Sequence, residues 1–345
     1  MTSTENKATP QAIVVDAEEG AKPKPALVAP TDALLGEGDL LIDVDFSSLN
    51  YKDGLALSGN KGVVRTTPLV PGIDAVGTVV EAAGEFQAGD RVLVNGAGLG
   101  EFRHGGYTPR LRVDSAHTVK VPEGISQFEA AAIGTAGFTA ALSVMEVLDG
   151  LAMQRANGLK PERVLVTGAT GGVGSVAILL LSKVLADSGV GIVAATGRVE
   201  EFGDYLRGLG ATEVVDRAEL TEPGKPLQKA RYAGVVDAVG SNTLANLLAQ
   251  TTWGGVVTAC GLAHGADLVT TVMPFILRGV RLVGINSVDA PLPLRQRAWE
   301  FIAANLDVEK LSELTEIVPL SEVVQAGADL LGGKRHGRAV VEIDR

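Results

Sequence analysis

The chain has one cysteine, Cys260, among 345 residues, so no intrachain disulfide can form. That usage suits a reducing compartment, and the polar start Met1-Thr2-Ser3-Thr4-Glu5-Asn6-Lys7 has no apolar segment of the secretory kind. Together they lead us to expect a cytoplasmic protein. Histidine is almost as scarce. His104, His117, His264 and His336 are scattered without ligand spacing, whereas a catalytic zinc needs about three Cys, His or carboxylate donors. No metal is expected. No apolar run reaches the ~18 residues that span a bilayer. A basic stripe is missing too, and the net charge of −11 argues against nucleic acid or an acidic membrane as the main partner. A local basic site for a phosphorylated ligand stays open. Apolar residues make up 46%, normal for a globular chain, and the length accommodates about two domains.

What the chain does have is a phosphate cradle. The apolar run Arg163-Val164-Leu165-Val166 leads into Thr167-Gly168-Ala169-Thr170-Gly171-Gly172-Val173-Gly174, and an apolar helical segment begins at Ser175. Glycines let the backbone turn tightly and let a pyrophosphate approach the N–H groups at the positive end of a helix. Gly172, Gly174 and Ala177 fit the dinucleotide fingerprint G-x-G-x-x-G/A. We read Thr170, Gly171, Gly172, Val173 and Gly174 as cofactor-binding, because strand and helix flank them as the fingerprint requires.

The next strand identifies the dinucleotide. Gly191-Ile192-Val193-Ala194-Ala195-Thr196 ends in Gly197-Arg198. A site for NAD usually places a carboxylate about 20 residues after the glycine loop. Here Thr196 and Gly197 stand at the strand end, followed by a guanidinium suited to a 2′-phosphate. Arg198 is the first choice for an NADPH phosphate clamp, and Arg217, after the next strand, the second. A solvated arginine at a helix start is the plainer alternative for each. Glu200 and Glu201 weigh against NADP, though first-turn acids have an ordinary role against the helix dipole.

Residues 11 to about 130 read as β-rich, with short apolar runs broken by Gly and Pro, as in Leu40–Val44, Gly77–Val80 and Arg91–Val94. A helical pattern takes over from about 128 to 147. Strands at 163–167, 191–196, 213–215, 234–239, 255–260 and 281–285 then alternate with helix-length segments, which implies a doubly wound parallel sheet of Rossmann type. A helix at 293–305, a helical turn near 321–332 and a last strand at 338–343 follow, and that strand is expected to return to the first domain's sheet. The reading is a short lead-in (1–10), a discontinuous β-rich substrate domain (11–133 and 286–345), and an inserted dinucleotide domain (134–285).

Longer stretches carry a resemblance. Asn50-Tyr51-Lys52-Asp53-Gly54-Leu55-Ala56, Pro71-Gly72-Ile73-Asp74, Gly89-Asp90-Arg91-Val92, Gly134-Thr135-Ala136-Gly137-Phe138-Thr139-Ala140, Thr196-Gly197-Arg198, Thr271 to Leu282 and Gly337-Arg338, with the cofactor loop, resemble the medium-chain dehydrogenase/reductase superfamily. Within it they look like the zinc-free acryloyl-CoA reductase group of quinone-oxidoreductase-like proteins. The resemblance spans about 12 to 345 and implies a GroES-like first domain. The superfamily's zinc enzymes carry a Cys where this chain has Asn50 and a His near Ile73. It further implies NADPH-dependent reduction of a short 2-enoyl-CoA, acryloyl-CoA to propanoyl-CoA, with hydride delivered to the β-carbon and a proton to the α-carbon. A quinone or enone reductase, and a non-catalytic NADPH-binding protein, are the alternatives.

Candidate roles follow. Tyr51 is expected to contact the cofactor or relay a proton, unless it is a core aromatic. Asn50 is a candidate to hydrogen-bond substrate, or a turn residue. Asp53 is expected to orient Lys52 or Tyr51, or to act as a helix N-cap. Lys52 alone reads equally as a solvated charge. By resemblance Ser287 is a cofactor contact near the nicotinamide, with Leu262 and Ile276 flanking it; all three are open to plain structural readings. Cys260 reads as core. Lys334-Arg335-His336-Gly337-Arg338 could meet CoA phosphates but reads better as a solvated turn, and Gly105-Gly106-Tyr107 could border a substrate mouth. The family implies a homodimer, for which the edge strand 281–285 offers a pairing surface.

Overall fold

The computed structural model describes residues 10–18 and 21–344. Apart from Pro10, the lead-in assigned to 1–10 lies outside the described residues. The chain divides into two compact units, one holding Met1–Thr135, Val288–Arg297 and Ser312–Arg345, the other Ala136–Ser287 and Ala298–Leu311.

The first unit begins with the antiparallel pair β1 (Ala12–Asp16) and β2 (Lys24–Val28). Then come β3 (Leu40–Ser48), α1 (Tyr51–Leu57), β4 (Asp74–Glu81), β5 (Arg91–Asn95), β6 (Arg110–Val113) and β7 (Val119–Lys120). Leu40, Ile42 and Val44 of β3 are buried, as are Ala75 and Val79 of β4 and Val92 and Val94 of β5, and these side chains build a core on one face of the sheet. The strand expected from Tyr107 starts only at Arg110. Helix α2 (Gln127–Ala156) runs nine residues beyond Val147 and breaks its helical geometry at Gly134, where φ is 49°. By length and composition α2 could cross a membrane, but 78% of that stretch is buried within the protein.

In the second unit, β8 (Arg163–Val166), α3 (Gly172–Val184), β9 (Gly191–Thr196), α4 (Val199–Leu209), β10 (Glu213–Asp216), β11 (Tyr232–Asp237), α5 (Ser241–Gln250), β12 (Thr251–Ala259), α6 (Met273–Arg278) and β13 (Arg281–Gly284) alternate as expected. The strands pair in the order β10-β9-β8-β11-β12-β13, all parallel. Val164, Leu165, Val166, Val193, Val235 and Val236 are buried, the continuous apolar signature of strands covered on both faces. Order reverses between β8 and β11, and ligands of such sheets bind outside the strand ends at that point. Acids in the first turn of α4, Arg207 in its last and Gly210 in the left-handed conformation at its end explain where that helix starts and stops.

The tail holds α7 (Leu292–Asn305), α8 (Val308–Glu313), β14 (Thr315–Pro319), α9 (Val323–Leu331) and β15 (Arg338–Glu342). β15 pairs antiparallel with β3, Val340 opposite Ser48, the return expected of the last strand. The sequence reading placed all of 286–345 with the β-rich domain. The structure groups Ala298–Leu311 with the Rossmann unit, where Ala298, Trp299, Ile302 and Leu311 are buried; β14 and α8 were not foreseen.

Candidate active site

The cofactor cradle is mostly backbone. Gly171 is the N-cap of α3, and Gly172 and Val173 open its first turn, where N–H groups have no intrahelical acceptor. A Cβ on Gly174 would overlap the Gly168 carbonyl oxygen, so the helix packs against its own loop only because this residue has no side chain. Gly168 and Thr170 line a cleft of about 360 Å³ together with Thr196, Gly197, Arg217 and His264. Beneath it lies a residue that sequence reasoning missed. Asp237, the buried last residue of β11, accepts from Thr167 Oγ1 at 2.7 Å and from Gly240 N at 2.8 Å, tying together the loops after β8 and β11. Burial holds its carboxyl above the usual carboxylate range. The only signal was an acid ending an apolar run.

The two guanidiniums differ. Arg198, the first choice from the sequence, is the N-cap of α4, lies 3.4 Å from Glu201 and stacks 4.4 Å from the Phe202 ring centroid. Arg217 has no hydrogen-bond or ion-pair partner among the described residues. A Cβ on Gly197 would sit 2.5 Å from Arg217 Nε, so Gly197 is what lets this side chain lie across the end of β9. Leu262 and Ile276 are not core: they are 67% and 72% exposed. Ser287 is buried, its hydroxyl accepting from Thr139 Oγ1 at 2.8 Å. Cys260 donates its thiol to Asp237 O, and burial pushes that thiol up to about 12. Arg278, in the stretch that carries the resemblance, donates to Ala249 O, Thr251 O and Gln228 O and thereby closes the end of α5.

In the other unit Asn50 is the N-cap of α1, and Asp53, expected at the cap, completes a capping box at the third helical position. Asp53 is fully buried and contacts neither Tyr51 nor Lys52 by hydrogen bond. It accepts from Asn50 N (2.8 Å), Asn50 Nδ2 (3.1 Å) and Ile73 N (2.8 Å). Lys52 instead pairs with buried Glu101 at 2.8 Å. The Asn50 amide also reaches Asp74 Oδ2 (2.8 Å) and Ser48 Oγ (3.1 Å), and its oxygen faces Arg338 Nη1 at 3.4 Å. Its side chain is committed inside the fold, the arrangement expected of the turn-residue alternative. Tyr51, first residue of the helix, is 55% exposed, so it is not a core aromatic, and its hydroxyl has no partner among the described residues.

Asp74 is the hub, also missed. It is fully buried and accepts from Ser48 Oγ, Asn50 Nδ2, Asn95 Nδ2 (2.7 Å) and both the N–H and hydroxyl of Thr135. Desolvation and the nearby Asp74 charge push the Asp53 carboxyl up to about 7. Arg338 is buried too, which removes it from the supposed solvated cluster; Lys334 and Arg335 pair with Asp329 and Glu316. Gly105-Gly106-Tyr107 forms no open mouth: a Cβ on Gly106 would overlap Asp74 O, and Tyr107 is buried with its hydroxyl donated to Ser48 O at 3.1 Å.

Fold and cradle together define a dinucleotide-dependent protein of alcohol-dehydrogenase architecture. The family described as alcohol dehydrogenase GroES-like domain matches residues 36–123, and that described as zinc-binding dehydrogenase matches 172–304. Acrylyl-CoA reductase AcuI of Ruegeria pomeroyi is 45% identical over 338 residues, 96% of this chain and 99% of that protein. Putative quinone oxidoreductase YhfP of Bacillus subtilis is 42% identical over 90% of this chain and 92% of its own length. The crystal structure of Escherichia coli K-12 YhdH with bound NADPH superposes with a TM-score of 0.89 at 41% identity, covering 96% of this chain and 99% of that one. The chain belongs to the medium-chain dehydrogenase/reductase superfamily.

Proposed function

We propose that the protein is an NADPH-dependent oxidoreductase that reduces the carbon–carbon double bond of a short 2-enoyl-CoA, acrylyl-CoA to propanoyl-CoA. The observation that carries the cofactor is the end of β9: no carboxylate, and an unpaired Arg217 guanidinium lying over Gly197. A 2′-phosphate suits that group and a bare ribose does not require it. The substrate rests on the relatives, since an acrylyl-CoA reductase shares 45% of its residues with this chain across both units and the NADPH-bound neighbour shares 41%.

When bound, NADPH supplies the hydride that goes to the substrate β-carbon. The first turn of α3 and Gly168 would receive the pyrophosphate, and Arg217 and Arg198 would hold the 2′-phosphate. Thr196 and Gly197 border the adenosine end, and Ser287, Leu262 and Ile276 are assigned to the nicotinamide end. Charge collects on the thioester oxygen as an enolate, and hydrogen-bond donors stabilise it. Tyr51 offers an exposed, unspent phenol and is the residue we assign to contact substrate or cofactor and to relay a proton.

The donor set does not suit zinc. By the resemblance, Asn50 stands where zinc enzymes of the superfamily carry a Cys and Ile73 lies near their His, and among the described residues no three His, Cys, Asp or Glu side chains are grouped to hold a metal ion. We propose zinc-free chemistry, a cytoplasmic location, and a homodimer formed across the free edge of β13, where Leu282 is exposed. Turnover of acrylyl-CoA with NADPH, run beside crotonyl-CoA, benzoquinone and NADH, tests the reading. Quinone turnover without any CoA ester turnover selects the quinone reductase alternative, and silence with every acceptor selects a binding role.

A further inference from the structure

Tyr51 stands on a turn whose flanking residues are tied into the fold. The residue before it, Asn50, spends its backbone N–H and side chain on Asp53, Asp74, Ser48 and Arg338. The residue after it, Lys52, is held by buried Glu101, and Asp53 grips Ile73 N at the entry to β4. One turn on, Gly54 packs against α9, where a Cβ would come within 3.1 Å of Gly327 O and 3.1 Å of Leu331. Every neighbour of Tyr51 is fixed by the fold, and only the phenol is left free. We propose that Asn50, clamped between Arg338 and the Asp53–Asp74 pair, is a positioning residue for Tyr51, and that the start of α1 is a proton-linked latch that ionisation of Asp53 loosens. The functional half of this statement rests on the role given to Tyr51 above; the latch does not.

The groups facing Asp53 make the proton matter. Asp74 faces it from β4, Arg338 from β15 and Tyr107 from the segment before β6; the α9 atoms against Gly54 carry no charge. Arg338 makes no ion pair with either carboxylate: its Nε donates to Ala132 O at 2.5 Å, and its Nη2 is buried with no partner among the described residues. Gly134 keeps the space between these groups free of a side chain, since a Cβ there would meet Asp74 Oδ2, Ser48 Oγ and Arg338 Nη2 at 2.7, 2.8 and 2.9 Å. Two buried carboxylates therefore share one indirect cation. Closed, the site favours a neutral Asp53; opened to water, it does not. By linkage, closing takes up a proton and opening releases one.

Hydrogen exchange on the full-length chain saturated with NADPH reads the latch directly. After correction for intrinsic exchange, protection of segment 49–57 is expected to fall by up to about tenfold per pH unit between roughly pH 5 and pH 7, then level off, while β8 stays flat. Asp53→Asn removes the slope. In Asn50→Ala, kcat falls on the order of 10-fold to 100-fold through misplacement of Tyr51, with KM for both substrates nearly unchanged. Flat protection in the parent chain overturns the latch without recourse to any variant. A raised KM for the CoA ester with kcat intact in Asn50→Ala makes Asn50 a substrate contact and overturns its positioning role. Parent kcat in Tyr51→Ala, with the exchange slope present, sinks the Tyr51 assignment and leaves the latch standing.

Discussion

A ligand arriving at the end of β8 meets backbone: glycines, helix N–H groups and one unpaired guanidinium. The start of α1 is the opposite kind of construction, a buried lattice of Ser48, Asn50, Asp53, Asp74, Asn95, Thr135 and Arg338 with a single exposed phenol above it. The first design works by leaving side chains out, so an added atom harms it. The second works by satisfying buried polar groups against one another, so a removed atom harms it.

The largest effect is expected from removing the hub. Asp74→Ala strands the buried donors of Ser48, Asn50, Asn95 and Thr135, several lost charge-assisted hydrogen bonds that should together cost on the order of 3–5 kcal/mol in urea unfolding. A loss below about 1 kcal/mol, the range of an ordinary single hydrogen bond, would mean that the lattice is not what holds this unit together.

Next comes pH. Burial and the Asp74 charge push Asp53 from the ordinary 3.8 up to about 7 in the folded chain, so the folded state holds a proton that the unfolded state releases between those values. Its contribution is fully present below the lower value and is lost as pH rises through the upper, a difference on the order of a few kcal/mol. Unfolding free energies of the parent chain and Asp53→Asn should therefore diverge in slope across that window. Parallel pH profiles would contradict it.

In the cradle the sign of the perturbation changes. Gly174→Val should weaken NADPH binding by about 100-fold or more, because the added carbons displace the pyrophosphate-binding loop; cofactor fluorescence titration checks this. Arg217→Ala should raise KM for NADPH by about tenfold, the loss of one charge-assisted contact, and leave NADH turnover unchanged. Arg198→Ala should do less, about threefold or under, since that side chain is exposed and already engaged by Glu201 and Phe202. An Arg198 effect exceeding that of Arg217 would restore the order drawn from the sequence.

The same contrast explains what could be read in advance. Backbone devices leave composition behind: the glycines at 168, 171, 172 and 174, and the apolar runs of 164–166 and 192–195, give away cradle and parallel sheet by spacing alone. The lattice leaves almost no mark. Asp74 and Arg338 each adjoin an apolar run and look like strand-end charges, and nothing local says that Asn50 bonds to a strand 24 residues on or Arg338 to a helix 206 residues back. For Asn50 and Asp53 the turn and cap alternatives were legible in the sequence, but their buried partners were not, because a sequence does not reveal which polar side chains turn inward. The ranking of Arg198 and Arg217 has a related origin: proximity in sequence favours the first, while the Glu201 partner and the gap at Gly197 are features of three dimensions.

The most direct test of the account follows the hydrogen. Acrylyl-CoA is turned over with NADPH deuterated at the transferable position of the nicotinamide, and separately with unlabelled NADPH in heavy water, and the product is analysed by mass spectrometry. The account predicts propanoyl-CoA carrying deuterium on the β-carbon in the first case and on the α-carbon in the second. An unlabelled or unreacted CoA ester, with the label delivered to a quinone instead, would contradict it.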